Sequence, residues 1–348
     1  MTSTVELGLD TFGDVTIGAD GERLSDAQVL RNVVDQAVLA DQLGIDFIGL
    51  GEHHRNDFAI SAPEILLAAI AGQTQRIQLG SAVTVLSSED PIRVFEKFST
   101  LDAVSNGRAE IILGRGSFTE SFPLFGFNLA DYETLFNEKL DLFAALLGEQ
   151  PVTWSGSHRT PLTNQSVYPK TESGRLKTWI GVGGSPQSVM RSVHYKIPMM
   201  LAIIGGDPAR FRPFVDLYFK AMDERSMPHM PLGAHSPGHV AETDEQARDE
   251  LRPHFQEFRN RLGAERGWPA TSEYEFRAEI ESGSLYVGSP ETVARRIANT
   301  VRVLDLDRFD LKYANGTMPH EQLMRSIELY GTEVIPRVRE ILAKESVD

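Results

Sequence analysis

The chain has 348 residues, 41% hydrophobic and 24% charged, with 29 glycines, 18 prolines and no cysteine. Lys and Arg total 34 against 49 Asp and Glu, and the formal net charge of -15 opposes nucleic-acid phosphates and anionic lipid surfaces as partners. The lack of cysteine excludes disulfides, thiol nucleophiles and thiolate metal sites.

At ~150 residues per domain the length allows one or two domains, although an α/β barrel fills ~250 residues or more as one unit. Met1 to Leu7 carries neither the basic nor the apolar stretch of a secretory leader. The longest apolar run, Ile65 to Ala71, is too short to span a bilayer. A cytoplasmic protein is expected.

In chain order, the first strand is predicted at residues 5–9. A helix follows over 25–43, with Ser25 and Gln28 as a capping box, Val29, Val33, Val34, Ala37 and Val38 on one face, and Gly44 as its stop. Further strands are predicted at 45–50, 77–85, 109–113, 178–182 and 199–204, a weaker one within 232–240, and a last one at 309–313. Helices between them begin on a small polar residue followed by proline, as in Asp90-Pro91, Ser185-Pro186, Asp207-Pro208 and Ser289-Pro290, a pairing that caps the first turn.

Strict alternation without a compositional break predicts a parallel sheet covered by helices. The expected fold is an α/β (β/α)8 TIM barrel, one domain over 1–348, with enlarged loops at its C-terminal face; an open doubly wound sheet is the rival. Three stretches exceed ordinary connections, at 118–132, 148–175 and 263–288, and are expected at the active-site face. Four phenylalanines in the first, Phe118, Phe122, Phe125 and Phe127, suggest an apolar pocket wall.

Barrel chemistry gathers at the C-terminal strand ends. Strand two ends in Gly51-Glu52-His53-His54-Arg55, and strand alternation lets only one of the two histidines face a small site. Such a pair suits one catalytic histidine better than a metal site. Glu52 either orients a histidine, pairs with Arg55 or packs toward the barrel floor. Strand four ends in Gly114-Arg115-Gly116, where a guanidinium between glycines can meet a phosphate or carboxylate. Strand five ends in Gly183-Gly184-Ser185-Pro186-Gln187-Ser188. Pro186 replaces the third glycine of a dinucleotide fingerprint, leaving a glycine turn, a helix N-terminus and two hydroxyls as an anion cradle beside Arg115. Between them, Ser81, Ala82, Val83 and Thr84 offer a small-residue surface for a flat ring.

Taken together, these motifs resemble the bacterial luciferase-like monooxygenase family of flavin-dependent oxidoreductases. The matching segments are Gly51-Glu52-His53-His54, Gly80 to Leu86, Asp90 to Val94, Leu101 to Arg108, Gly114-Arg115-Gly116, Gly183 to Pro186, and Val287 to Glu291, in the family's order. The resemblance implies a (β/α)8 barrel using reduced FMN, or in some branches F420, at the barrel mouth. It implies His53 as the catalytic histidine, a cis peptide at Ala82-Val83 beside the flavin ring with Thr84 in the same strand, and phosphate contacts from Arg115, Ser185 and Ser188 beside Gly183 and Gly184. The light-emitting luciferase subunit has a cysteine where this chain has Gly114, a second phosphate-contacting arginine at Glu133, and an acid at Ser121; light emission is therefore not implied.

The expected activity is a monooxygenase acting on paired donors with O2, on a small, apolar organic substrate. An F420-dependent oxidoreductase, a flavin-binding protein without turnover and, last, a barrel aldolase using Lys312 are the alternatives. The helix at 61–74, apolar nearly all round, together with the family resemblance, points to a homodimer; a separate flavin reductase is the expected source of reduced FMN.

Overall fold

The computed structural model describes residues 5–345, so that Met1 to Thr4, where the leader reading begins, lie outside the described residues. The first half of the chain runs β1 (Glu6–Thr11), α1 (Asp26–Gln42), β2 (Phe47–Leu50), α2 (Pro63–Ala71), β3 (Gln78–Val85), α3 (Pro91–Val104) and β4 (Ala109–Gly114). It continues through α4 (Ser121–Leu124), α5 (Tyr132–Leu146), a hairpin of β5 (Val152–Trp154) and β6 (Leu162–Gln165), β7 (Lys177–Val182), α6 (Pro186–Tyr195) and β8 (Met199–Ala202). The remainder is α7 (Arg212–Asp223), β9 (Leu232–Val240), α8 (Asp244–Arg266), α9 (Glu273–Glu281), β10 (Tyr286–Gly288), α10 (Pro290–Leu304), β11 (Arg308–Lys312), α11 (His320–Leu329) and α12 (Ile335–Glu345).

β1, β2, β3, β4, β7, β8, β9 and β11 pair in parallel in that order, and β11 pairs back onto β1. The ring has no free edge, so the molecule is a closed (β/α)8 barrel and the open-sheet rival is excluded. All eight strands predicted from periodicity are the barrel strands. The short β10 adds in parallel to the end of β9, and the β5–β6 hairpin stands outside the barrel. Neither had been anticipated. Among the described residues no helix is long and apolar enough to cross a membrane.

Alternation along each strand divides the interior from the helix layer. In β1 and β11, Leu7, Leu9, Phe309 and Leu311 pack outward into the main core, while Asp10, Arg308, Asp310 and Lys312 occupy the intervening positions. Arg308, fully buried, donates to Asp310 at 2.8 and 2.9 Å and to Glu110, whose other oxygen lies 3.0 Å from Lys177. Its guanidinium lies 3.5 Å from the centre of the Phe47 ring. Phe47 belongs with Ile112, Trp179 and Met200 to a separate apolar layer packed against Ala82 and Val83.

The four Asp-Pro and Ser-Pro starts cap as expected: Asp90 accepts from the amides of Ile92 and Arg93, Ser185 from Ser188, Asp207 from Ala209, and Ser289 from Thr292. Only half of the expected Ser25 capping box forms. Ser25 accepts from the Gln28 amide, but the Gln28 side chain is drawn along the helix to Asn32 and Arg31.

The stretch at 148–175 corrects another expectation. It follows a helix rather than a barrel strand, and its hairpin lies against α5 through Trp154 to Asp141 and Ser157 to Glu138. The other two long stretches do reach the mouth.

Candidate active site

A cavity of about 740 Å³ opens at the C-terminal end of the barrel. That volume is within the usual range for small-molecule and cofactor sites. Its walls are predominantly apolar, with Phe12, Phe58, Ala82, Val83, Phe118 and Phe258 among them.

β2 ends at Leu50, three residues before the histidine pair, so strand alternation no longer applies and both His53 and His54 reach the cavity. This corrects the expectation that only one would. The loop is fixed by its neighbours: the Glu52 amide donates to the Val83 carbonyl at 3.1 Å, and the His53 amide to the Ile60 carbonyl at 2.9 Å. Glu52 lies 2.9 Å from His54 Nε2 through one carboxylate oxygen and accepts from the Val85 amide at 2.8 Å through the other. It therefore orients His54, while Arg55 pairs instead with Asp57 and Glu265.

His53 is held by rings. It stacks on Phe58 at 4.5 Å and meets Phe12 and Phe118 edge-on at 4.7 and 5.0 Å. Its Nδ1 lies 3.8 Å from Glu120. Burial pushes the Glu120 carboxyl up, but His53 and, at longer range, Arg55 hold it below its ordinary value.

The register between β3 and β4 shifts at Val83, so that Ala82 faces Ile112 and Thr84 faces Leu113. Such an irregularity re-aims side chains, and Ala82 and Val83 both line the cavity. The Ala82-Val83 peptide is cis, as the resemblance implied. Thr84 is buried with its hydroxyl on Ser81 Oγ at 2.8 Å and is not among the lining residues. A Cβ at Gly114 would sit 2.4 Å from Val83 Cγ2, so a cysteine there could not coexist with Val83 as placed.

Beyond the cavity edge, β4 and β7 run side by side and deliver Arg115 next to the Gly183-to-Ser188 turn. Gly183 lines the cavity, Gly184 adopts a φ of 98° that disfavours any side chain, and the hydroxyls of Ser185 and Ser188 bond each other at 2.9 Å. Arg115 pairs with Glu133, whose second oxygen lies 3.3 Å from Arg191, one helical turn beyond Ser188 on α6. Burial pushes the Arg191 guanidinium down, opposed by Glu133. The sequence reading had Arg115 and both serines but missed Arg191. An arginine three positions after Ser188 was the available signal, since that spacing shares a helix face.

One further group was missed. His235, on β9, lines the cavity with Nδ1 3.0 Å from the buried Asp10. Burial alone would lower its pKa, but the charge and hydrogen bond of Asp10 raise it above the ordinary histidine value. Lys312, the candidate of the aldolase alternative, lies 3.1 Å from Asp14 and 4.7 Å from the centre of the Phe12 ring. Of the four phenylalanines expected in the wall only Phe118 lines it: Phe122 is buried against Tyr132, Phe125 meets the edge of His54 and Phe127 lies under Lys139. The opposite wall comes instead from α8, α9 and the segment between them.

The mouth of the closed barrel thus joins an apolar cavity and a clasped histidine to a neighbouring pair of arginines. The luciferase-like monooxygenase family model matches residues 11–305, and the chain belongs to that family. It is 28% identical over 314 residues to 4-hydroxyprotoasukamycin monooxygenase of Streptomyces nodosus subsp. asukaensis, covering 85% of this chain and 84% of that protein. It is 26% identical over 345 residues to an uncharacterized Sinorhizobium fredii protein, y4vJ, covering 93% and 96%. Similar folds include the monooxygenase RslO1 from Streptomyces bottropensis, with a TM-score of 0.82, 22% identity, and coverage of 95% of this chain and 99% of that one. The oxygenating constituent of 3,6-diketocamphane monooxygenase from Pseudomonas putida, solved with FMN, gives 0.75 at 18% identity, covering 96% and 99%. The F420-dependent tetrahydromethanopterin reductase of Methanopyrus kandleri gives 0.71 at 17%, also covering 96% and 99%.

Proposed function

We propose that the protein is a monooxygenase using reduced FMN and O2 on a small, largely apolar organic substrate. The observation that carries this reading is the junction of an apolar cavity containing His53 with the Arg115, Arg191, Ser185 and Ser188 cradle. The cavity suits a flat ring against Ala82 and Val83, and the cradle is the donor set a phosphate requires. Bound reduced FMN supplies the reaction with O2, which no side chain in the cavity can perform. The chain's own residues bind, orient and exclude water: Phe12, Phe58 and Phe118 fix the His53 ring, and Glu120 favours a proton on Nδ1, which leaves Nε2 to exchange a proton with the reacting centre.

Anaerobic titration with reduced FMN and with F420, followed by O2 and a panel of aldehydes and ketones, tests the reading. Tight FMN binding and substrate-dependent oxygen consumption with an oxygenated product support it. Preferential F420 binding selects the deazaflavin alternative, and flavin binding without any product selects the non-turnover one.

Glu133 makes a sharper prediction. Its carboxylate occupies the two guanidiniums that a phosphate would use, and two anions side by side repel. Half-exposed ion pairs are worth ~1 kcal/mol or less, so Glu133→Gln should tighten FMN binding by about 5-fold and leave riboflavin unchanged in fluorescence titrations. Equal shifts for both ligands would show that Glu133 does not contest the phosphate.

Assembly and supply belong to the same proposal: a cytoplasmic homodimer whose reduced FMN comes from a separate reductase. On α2, Ile65 is 73% exposed beside the exposed Ala62, Ala68 and Ala69, an apolar strip suited to burial by a second copy. Ile65→Lys should convert a dimeric mass to a monomeric one in light scattering at micromolar concentration. A wild-type monomer would remove the dimer from the account.

A further inference from the structure

The wall formed by α8 and the segment following it carries a feature that the flavin reading leaves unexplained. Arg259 and Arg266 both line the cavity, and both guanidiniums lie 5.3 Å from the centre of the same Trp268 ring. Arg266 also lies 4.8 Å from the centre of Phe118, the ring that abuts His53. Neither arginine takes part in an ion pair among the described residues, although on the same helix Arg252 reaches Glu273 and Arg261 reaches Asp57 at 3.0 Å.

The acids of the lining are otherwise engaged. Glu52 holds His54 and the Val85 amide, Glu120 faces His53, Glu275 closes the capping box of α9 with Ser272, and Glu279 accepts from the amides of Gly206 and Ser284. In a chain of net charge -15, two guanidiniums are thus brought to one indole ring at the mouth of an apolar cavity, where Glu275 and Glu265 feel their charge but form no ion pair with either among the described residues. These ring contacts leave the guanidinium N–H groups without a hydrogen-bond partner among the described residues, and a guanidinium with free N–H groups can receive a carboxylate in bidentate fashion.

We infer that the organic substrate is an aromatic or similarly flat acid whose carboxylate is held by Arg259 and Arg266 against Trp268, with its apolar body directed into the cavity toward His53. The inference rests on reading the cavity as the oxygenase site, and it names the substrate class for that site. Arg210, a third lining arginine, sits over Phe211 on the loop after β8 and takes no part. The cofactor phosphate is the other anion that could use these arginines, and the experiment separates the two.

Isothermal titration of the full-length protein with 2-naphthoate and with its neutral isostere 2-naphthamide provides the test, alongside FMN titration of the same samples. The naphthoate should bind at least 10-fold more tightly than the amide, a preference that weakens as salt rises. Arg259→Gln/Arg266→Gln should abolish that preference while shifting FMN affinity less than 2-fold, and Arg266→Lys, which keeps charge but loses the planar fork, should retain part of it. Equal binding of acid and amide by the wild type overturns the inference. Loss of FMN affinity in the double variant also overturns it, by assigning the arginines to the cofactor. Failure of the wild type to bind FMN at all is a separate result, which refutes the flavin reading and leaves the acid preference to be judged on the naphthoate titration.

Discussion

Replacing His53 by glutamine is expected to lower substrate-dependent oxygen consumption by ~10²–10⁴-fold, the usual contribution of a positioned acid/base group. Binding of reduced FMN should change by less than about 3-fold, because the proposed phosphate cradle lies just after β4 and at the start of α6 rather than on the loop after β2. His53 is packed by Phe12, Phe58 and Phe118, so glutamine tests the imidazole with less loss of packing than alanine would cause. Glu120→Gln removes the charge facing Nδ1 and should give a smaller loss together with a displaced pH profile, whereas an effect confined to substrate KM would make the pair a binding feature. Full turnover in the His53 variant would remove the histidine from the mechanism.

Arg308→Met is expected to destabilise the protein by ~3–5 kcal/mol, because it strands two buried carboxylates that the arginine now holds. Burial already pushes the Asp310 carboxyl up to about 6 against the pull of Arg308, while Glu110, under the charges of Arg308 and Lys177, stays below its ordinary value despite burial. Without the arginine Asp310, already raised in the folded state, titrates higher still, and Glu110 keeps only Lys177 to offset its burial. The native variant then binds more protons across that window, so its stability falls as pH rises through it. Urea unfolding should therefore show a deficit that grows from pH 5 to pH 8. A deficit below about 1 kcal/mol, or one independent of pH, would mean that the cluster is not the stabilising unit described.

The barrel was readable because each parallel strand is buried on both faces and so appears as a short aliphatic run, down to the weak strand at 232–240. Of the residues expected at the mouth from local motifs and the family resemblance, Ala82, Val83 and Gly183 line the cavity, while Arg115, Gly184, Ser185 and Ser188 stand at a strand end and helix start beyond its edge. Thr84 shows the limit of that reasoning, since one irregularity in β3 sends its hydroxyl to Ser81 and away from the lining. What the sequence did not disclose depends on distance along the chain. Asp10 meets His235, Asp14 meets Lys312 and Glu133 meets Arg191 only after the barrel closes or its loops fold over. The stretch at 263–288 was expected at the mouth, but the part of the wall from α8 before it escaped notice because no strand periodicity marks it, and the hairpin at 152–165 turned an expected mouth loop into outer packing.

The most direct test of the central claim is the crystal structure of the protein with FMN bound. The flavin ring should lie against Ala82 and Val83 within reach of His53, and the phosphate among Arg115, Arg191, Ser185 and Ser188, with the Glu133 carboxylate displaced from both arginines. A phosphate seated instead at Arg259 and Arg266, or a ring outside the cavity, would contradict it.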